Sequence, residues 1–134
     1  TPAHMFSDTA KADADTFAAY GALENADTIK FTDTHDVFGD GSAVIYSMPG
    51  HTPGHSVLLV RLENEGNILL TGDMYHFSKA RQLKTVPKFN TDIEQSKASM
   101  KQFEALATKE DASVIIQHEK ADTESMQTFP AYLD

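Results

Sequence analysis

Three short segments of this 134-residue chain carry side chains suited to gripping a cation. The first is Met48-Pro49-Gly50-His51-Thr52-Pro53-Gly54-His55-Ser56, in which two Pro-Gly steps each precede a histidine or lead to one. Glycine removes side-chain bulk and proline fixes the backbone, so the segment forms a tight loop directly before an apolar run. A histidine is left facing whatever lies at the strand end. Neutral imidazole is the commonest metal ligand, and a rigid loop holds it in position. The second segment is Leu69-Leu70-Thr71-Gly72-Asp73, an apolar run that ends by delivering a carboxylate, the group able to bridge two cations. The third, Val114-Ile115-Ile116-Gln117-His118, ends another apolar run in an imidazole. Singly, each is commonplace: a histidine after a strand is more often a hydrogen-bonded structural residue, and Gly-Asp more often a turn or cap. Three such donors, each leaving an apolar strand, can converge on one rim of a sheet.

The elements that must position them follow from periodicity and breakers. Ser7-Asp8 can cap a helix running through Asp13 to about Leu23, with Phe17, Ala18 and Leu23 as its apolar contacts. A short strand is expected over Thr28–Thr32. Asp40-Gly41 signals a turn before a β-rich run from Ala43 to Ser47. Ser56–Leu62 and Asn67–Thr71 read as two further strands joined by a hairpin loop over Glu63–Gly66. Their near-continuous apolar character implies burial on both faces. Thr91-Asp92-Ile93-Glu94 matches a capping box, with Thr91 as the cap. The helix behind it should reach about Lys109 and turn Ile93, Met100, Phe103, Leu106 and Ala107 to one side. Val114–Ile116 is a buried strand, and the tail with Phe129-Pro130 and Tyr132 a short helix or coil. The order is α/β, with strand–helix–strand at its end.

Composition narrows the chemistry. The length allows one domain at most. Asp and Glu number 20 against 11 Lys and Arg, a net charge of −9 that repels phosphate backbones and argues against a nucleic-acid partner. Cysteine is absent, which excludes disulfides, Cys-rich zinc sites and a thiol nucleophile. Any metal must be held by His and carboxylates, donors that suit zinc and neighbouring transition metals. No apolar run is long enough to span a bilayer, so no membrane partner is expected. The opening Thr1-Pro2-Ala3-His4 lacks an initiator Met, and the compartment stays open.

The loop Gly50-His51-Thr52-Pro53-Gly54-His55-Ser56, the strand end Thr71-Gly72-Asp73 and the late Gln117-His118, in this order and at these spacings, resemble motifs of the metallo-β-lactamase superfamily. Within it, the chain looks closest to the N-acyl homoserine lactonase branch, with glyoxalase II-type hydrolases more distant. The resemblance covers roughly residues 43–118. It implies the C-terminal half of an αββα sandwich, residues 1–134 forming part of one metallo-β-lactamase-like domain. It implies His51, Asp73 and His118 as metal ligands, Asp73 bridging, and zinc as the metal, two per intact site, with other divalent transition metals possible. His55 matches a residue that supports the loop. Asp73, Tyr75 and His76 are the catalytic candidates. The family has a Tyr just after the bridging Asp that polarises the substrate carbonyl, but here Tyr75 is offset and His76 follows it; a packing role for Tyr75 is an equal alternative. Met74, Phe77 and Phe89 could wall an acyl pocket or simply belong to the core.

The resemblance further implies metal-assisted hydrolysis, in which two cations turn a shared water into hydroxide near neutral pH and the hydroxide opens a lactone or ester, here an N-acyl homoserine lactone. Rival readings are a thioesterase of glyoxalase II type, a phosphoesterase, or a non-catalytic fragment without a complete metal site. The chain departs from the family in one respect: the His-x-His-x-Asp-His motif of the N-terminal half is absent, and His4 and His35 have the wrong neighbours and read as surface or loop residues. A lone half would expose its inner apolar face, including residues between Val57 and Val60. The expected partners are therefore the missing N-terminal half or a second copy of the chain, besides the small-molecule ester or lactone substrate.

Overall fold

The computed structural model describes residues 5–134, so His4 lies outside it. The chain forms two compact units, one ending at Thr32 and the other spanning Asp33–Asp134.

The first unit is helical but interrupted. Helix α1 spans Asp8–Ala12 and α2 spans Ala14–Ala18, followed by a 3₁₀ turn over Gly21–Leu23. The expected continuous helix breaks at Asp13, which leaves helical backbone angles (φ −90°, ψ 85°) and turns its carboxylate onto the amide of Thr16. Asp competes well as a cap and poorly as an interior helix residue. Phe6, Phe17 and Tyr20 form an edge-to-face cluster, whereas Leu23 is exposed. Residues 28–32 are irregular rather than a strand.

The second unit is one five-stranded sheet: β1 (Thr34–Asp36), β2 (Ala43–Ser47), β3 (Ser56–Leu62), β4 (Gly66–Leu70) and β5 (Ser113–Ile115), in spatial order β1-β2-β3-β4-β5. The first three pairings are antiparallel, and β4–β5 is parallel. Helix α3 (Ser78–Leu83) and helix α4 (Ile93–Lys109) fill the crossover to β5, and α5 (Lys120–Ser125) follows it. His35, read as a surface or loop residue, lies within β1.

Register decides which face each apolar residue takes. Val57, Leu59 and Leu69 point to one face, where they are buried with Met100, Phe103, Leu106 and Ala107 of α4. Ile93, expected on that helix face, is 40% exposed. The intervening Leu58, Val60 and Leu70 share the opposite face with Ile45 and Ile68. The region expected to be open therefore divides: Val57 and Leu59 are sealed under the helix, and Leu58 and Val60 belong to the second apolar face. A sheet with one face under helices and a second apolar face is half of an αββα sandwich. No helix among the described residues is long and apolar enough to cross a membrane.

Topology brings the three donor segments to one edge. β4 and β5 run parallel, so their C-terminal ends lie side by side, and the Thr71 amide donates to the Ile115 carbonyl across them. β3 runs against β4, with Leu58 opposite Leu70, so the loop that enters β3 reaches the same edge. Two glycines allow the close approach. A Cβ on Gly50 (φ +138°) would meet the Ser96 backbone nitrogen at 2.5 Å, and one on Gly72 (φ +53°) would meet His55 Nε2 at 2.8 Å.

Candidate metal centre

Asp73 sits in the 3₁₀ turn Gly72–Met74 directly after β4. Its two carboxylate oxygens face different imidazoles. His118 Nε2 lies 2.7 Å from Oδ1, and His51 Nε2 lies 3.5 Å from Oδ2. The hydrogen bond from His118, joined by the charges of His51, His118 and His55, holds the Asp73 carboxyl below the usual carboxylate range, against a smaller opposing effect of burial. The structure thus brings together all three residues that the strand ends were expected to deliver.

The loop bearing His51 is fastened to the start of α4. Asp92, not Thr91, caps that helix, accepting from the Gln95 amide. Thr91 is spent elsewhere: its amide and hydroxyl both donate to the His51 carbonyl. The Asp92 amide donates to the Gly50 carbonyl, and Ser99 Oγ to the Pro49 carbonyl at 2.6 Å.

Two residues set imidazole tautomers. Buried Asn90 presents Oδ1 to His51 Nδ1 at 3.1 Å, while its Nδ2 donates to Ser96 Oγ, whose hydroxyl donates on to the Asp92 carbonyl. The amide is therefore oriented with its carbonyl towards His51, so Nδ1 is the nitrogen that donates to Asn90 and Nε2 is the one turned to Asp73. His55 is fixed the same way: Nδ1 donates to the Met48 carbonyl at 2.8 Å, and Nε2 accepts the Asp73 amide at 3.0 Å. Burial, the largest influence on His55, favours its neutral form. The supporting role expected of His55 is the one its contacts describe, and it orients the carboxylate's own backbone.

Nothing in the sequence pattern singled out Asn90. Asn90→Leu is expected to free the His51 tautomer, seen as a change in its imidazole ¹⁵N shifts, and to lower affinity for a divalent metal about 10–100-fold, the usual effect of losing a ligand's orienting partner. His55 should keep its tautomer in the same spectra. An unchanged His51 tautomer would refute the assignment.

The two residues after Met74 part company. His76 joins the cluster: its ring stacks on His118 at 5.0 Å and 9°, and it stands 6.0 Å from the ring of His51. Burial and the His118 charge lower its pKa. Tyr75 is 1% exposed and carries its hydroxyl to Glu104 at 3.0 Å, with its ring edge-on to Phe103. Burial, aided by the Glu104 charge, raises its pKa well above the ordinary tyrosine value. Glu104 also takes a two-pronged bond from Arg81, which keeps that carboxyl ionised. The structure does not bring the Tyr75 hydroxyl to the cluster. Beside His76 opens a cavity of about 290 Å³ lined by Met74, Phe77, Ala80, Val86 and Phe89. Phe77 and Phe89 are exposed at its edge, and Phe89 meets both His51 and His76 edge-on.

The donor set fits a divalent cation. His51 and His118 each turn Nε2 towards a different oxygen of the one carboxylate, a placement of donors suited to a shared cation. Asp73, His76 and His118 further offer three ligand atoms that lie within 4.8 Å of one another.

No family profile matches the chain. It is 37% identical over 87 residues to an N-acyl homoserine lactonase, AttM, of Rhizobium radiobacter, a match covering 65% of this chain and 33% of that protein. To AttM of Azorhizobium caulinodans it is 32% identical over 102 residues, covering 76% and 39%. Among solved structures, an N-acyl homoserine lactone hydrolase with N-hexanoyl-L-homoserine bound at its catalytic metal centre superposes with a TM-score of 0.68. It is 26% identical, over 77% of this chain and 40% of that one. AidC, a dizinc quorum-quenching lactonase, shares the fold at a TM-score of 0.61 and 14% identity, over 90% and 40%. The chain spans between a third and two fifths of the length of these curated relatives.

Proposed function

From the premise that this chain is a homologue of part of the N-acyl homoserine lactonases of the metallo-β-lactamase superfamily, we propose that it supplies the C-terminal metal-binding portion of a hydrolase that opens N-acyl homoserine lactones. The observation that carries the reading is the Asp73 carboxylate placed between two imidazoles, one per oxygen. His51, Asp73 and His118 would hold zinc, each imidazole on a different oxygen of Asp73. The remaining donors would come from a His-x-His-x-Asp-His segment outside these residues, completing a single domain across the second apolar face of the sheet.

Bound zinc at such a centre supplies an activated water near neutral pH and polarises a carbonyl. The chain's own residues do the rest. Asn90 and His55 fix imidazole tautomers and the carboxylate's backbone. Asp73 is the base placed to take a proton and return it to the leaving alkoxide. His76, beside His118 and at the mouth of the cavity, is the side chain placed to meet the lactone carbonyl oxygen. Tyr75 holds its segment in place through Glu104 and Phe103 rather than touching substrate. The apolar cavity receives the acyl chain, and Phe77 and Phe89 line its entrance.

The test is lactone ring-opening by this chain joined to a His-x-His-x-Asp-His-bearing half, followed by acid release before and after zinc removal. A glutathione thioester and a phosphodiester are assayed beside the lactone. Zinc-dependent lactone hydrolysis exceeding the other two is expected; its absence would remove the substrate assignment, and activity on a rival substrate alone would reassign it. Ala80→Trp should fill the cavity. KM for a long-chain lactone is expected to rise about tenfold or more, since each excluded methylene forfeits about 0.8 kcal/mol. A short-chain lactone should change by less than about twofold.

A further inference from the structure

We propose that this chain by itself holds one divalent cation, on the His118 side of Asp73, with His76 as the third protein ligand. The two sides of the carboxylate are unequal. On the Oδ2 side stands His51, at 3.5 Å, whose other nitrogen is engaged by Asn90. On the Oδ1 side stand His118, at 2.7 Å, and His76 stacked upon it. Ligand atoms of Asp73, His76 and His118 lie within 4.8 Å of one another. Donors around a tetrahedral ion at about 2.1 Å sit roughly 3.4 Å apart, so closing on a cation asks for movements of about an ångström.

A separate observation points the same way. Among the described residues, His76 Nδ1 is buried and has no hydrogen-bond partner. A buried polar nitrogen left unsatisfied is costly and calls for an explanation, an absent water or ion among them. Two imidazoles and one carboxylate with open remaining positions form a set that zinc and its neighbours accept. The carbonyl-contacting role given to His76 above belongs to the centre completed by further donors. There those donors satisfy the cation, and the His76 nitrogen turns to substrate. The present inference rests on that reading only for the identity of Asp73 and His118 as ligands.

The experiment uses the metal-free 134-residue chain, titrated with Co²⁺ by calorimetry and by visible absorption, with Zn²⁺ affinity measured by competition. The wild type is expected to bind one ion per chain with the intense visible bands of a four-coordinate site. His76→Gln should weaken binding about tenfold or more and lower those bands. His76→Phe, which keeps the stacked ring and removes both nitrogens, should do the same. His118→Gln should weaken binding at least as much, and His35→Gln should leave it within about twofold. Circular dichroism checks that each variant is folded. No binding by the wild type would overturn the inference, as would equal affinity in both His76 variants. If the lactonase reading alone fails, the metal titration still behaves as stated while no lactone is opened. If this inference alone fails, His76 substitutions change turnover of the completed enzyme and leave the chain's metal affinity untouched.

Discussion

Asp73→Asn is expected to remove cation binding and, in the completed enzyme, lactone hydrolysis, while leaving the fold in place. The substitution keeps the side chain's shape. The Asp73 amide still donates to His55, and the turn after β4 is held by the Thr71–Ile115 strand bond, neither of which uses the carboxylate. What is lost is the negative charge shared by both sides of the centre and one of the two ligating oxygens. An amide oxygen faces His118 or His51, not both. Disturbing a ligand's outer partner alone commonly costs 10–100-fold in affinity, so removing the bridging ligand should cost more than about a hundredfold. Loss of the proton transfer proposed for it adds a further factor of about 10²–10⁴ in turnover. Zinc content after dialysis and initial rates with excess zinc read the two effects separately. Retained zinc and activity would show that Asp73 is a structural acid.

Phe103→Ala should produce the largest loss of stability among the changes considered. Phe103 is 0% exposed and stands at the centre of the cluster formed by α4, β3 and β4. Its ring meets Tyr75 edge-on at 5.6 Å, and the Arg81 guanidinium lies 5.8 Å above it. Truncation removes the apolar contacts and leaves a cavity, a combination that costs about 3–5 kcal/mol for a buried Phe. The midpoint of thermal unfolding should fall on the order of 10–20 °C. The effect should also reach the candidate metal centre, because Tyr75 leans on this ring and His76 is the next residue along the backbone. Urea denaturation gives the free energy directly, and a loss below about 1 kcal/mol would mean the helix is not seated as described.

The donors were legible because strand ends are. A run of Val, Ile and Leu stops, and a donor follows within a few residues: Asp73 after Thr71-Gly72, His118 after Gln117, and His51 after Pro49-Gly50. Helix α4 was legible to within a residue, since its apolar spacing is long and regular. Its cap was not, because Thr91 and Asp92 are both good caps. The choice fell to Asp92 when Thr91 was drawn to the His51 carbonyl, a contact some 40 residues away in sequence. Asn90 was invisible for the same reason: an isolated Asn carries no local signal, and its importance arises from folding against His51 and Ser96. Tyr75 and His76 show the alternation of an extended segment. Adjacent side chains point to opposite sides, so only one of the two could reach the cluster, and the apolar neighbourhood of Phe103 claimed the tyrosine. The first helix was misjudged at Asp13, where a capping residue outcompeted helical continuity. The two faces of β3 were legible only once register was known, since an unbroken apolar run hides which residues lie under the helix.

Anomalous diffraction at the zinc edge, from zinc-loaded crystals, tests the centre of this account most directly. The expected result is a peak about 2.0–2.2 Å from an Asp73 oxygen, with a His118 nitrogen among its other ligands. A second peak on the His51 side should appear once the further donors are supplied. Zinc bound elsewhere on the chain, or no peak beside Asp73 at saturating metal, would contradict it.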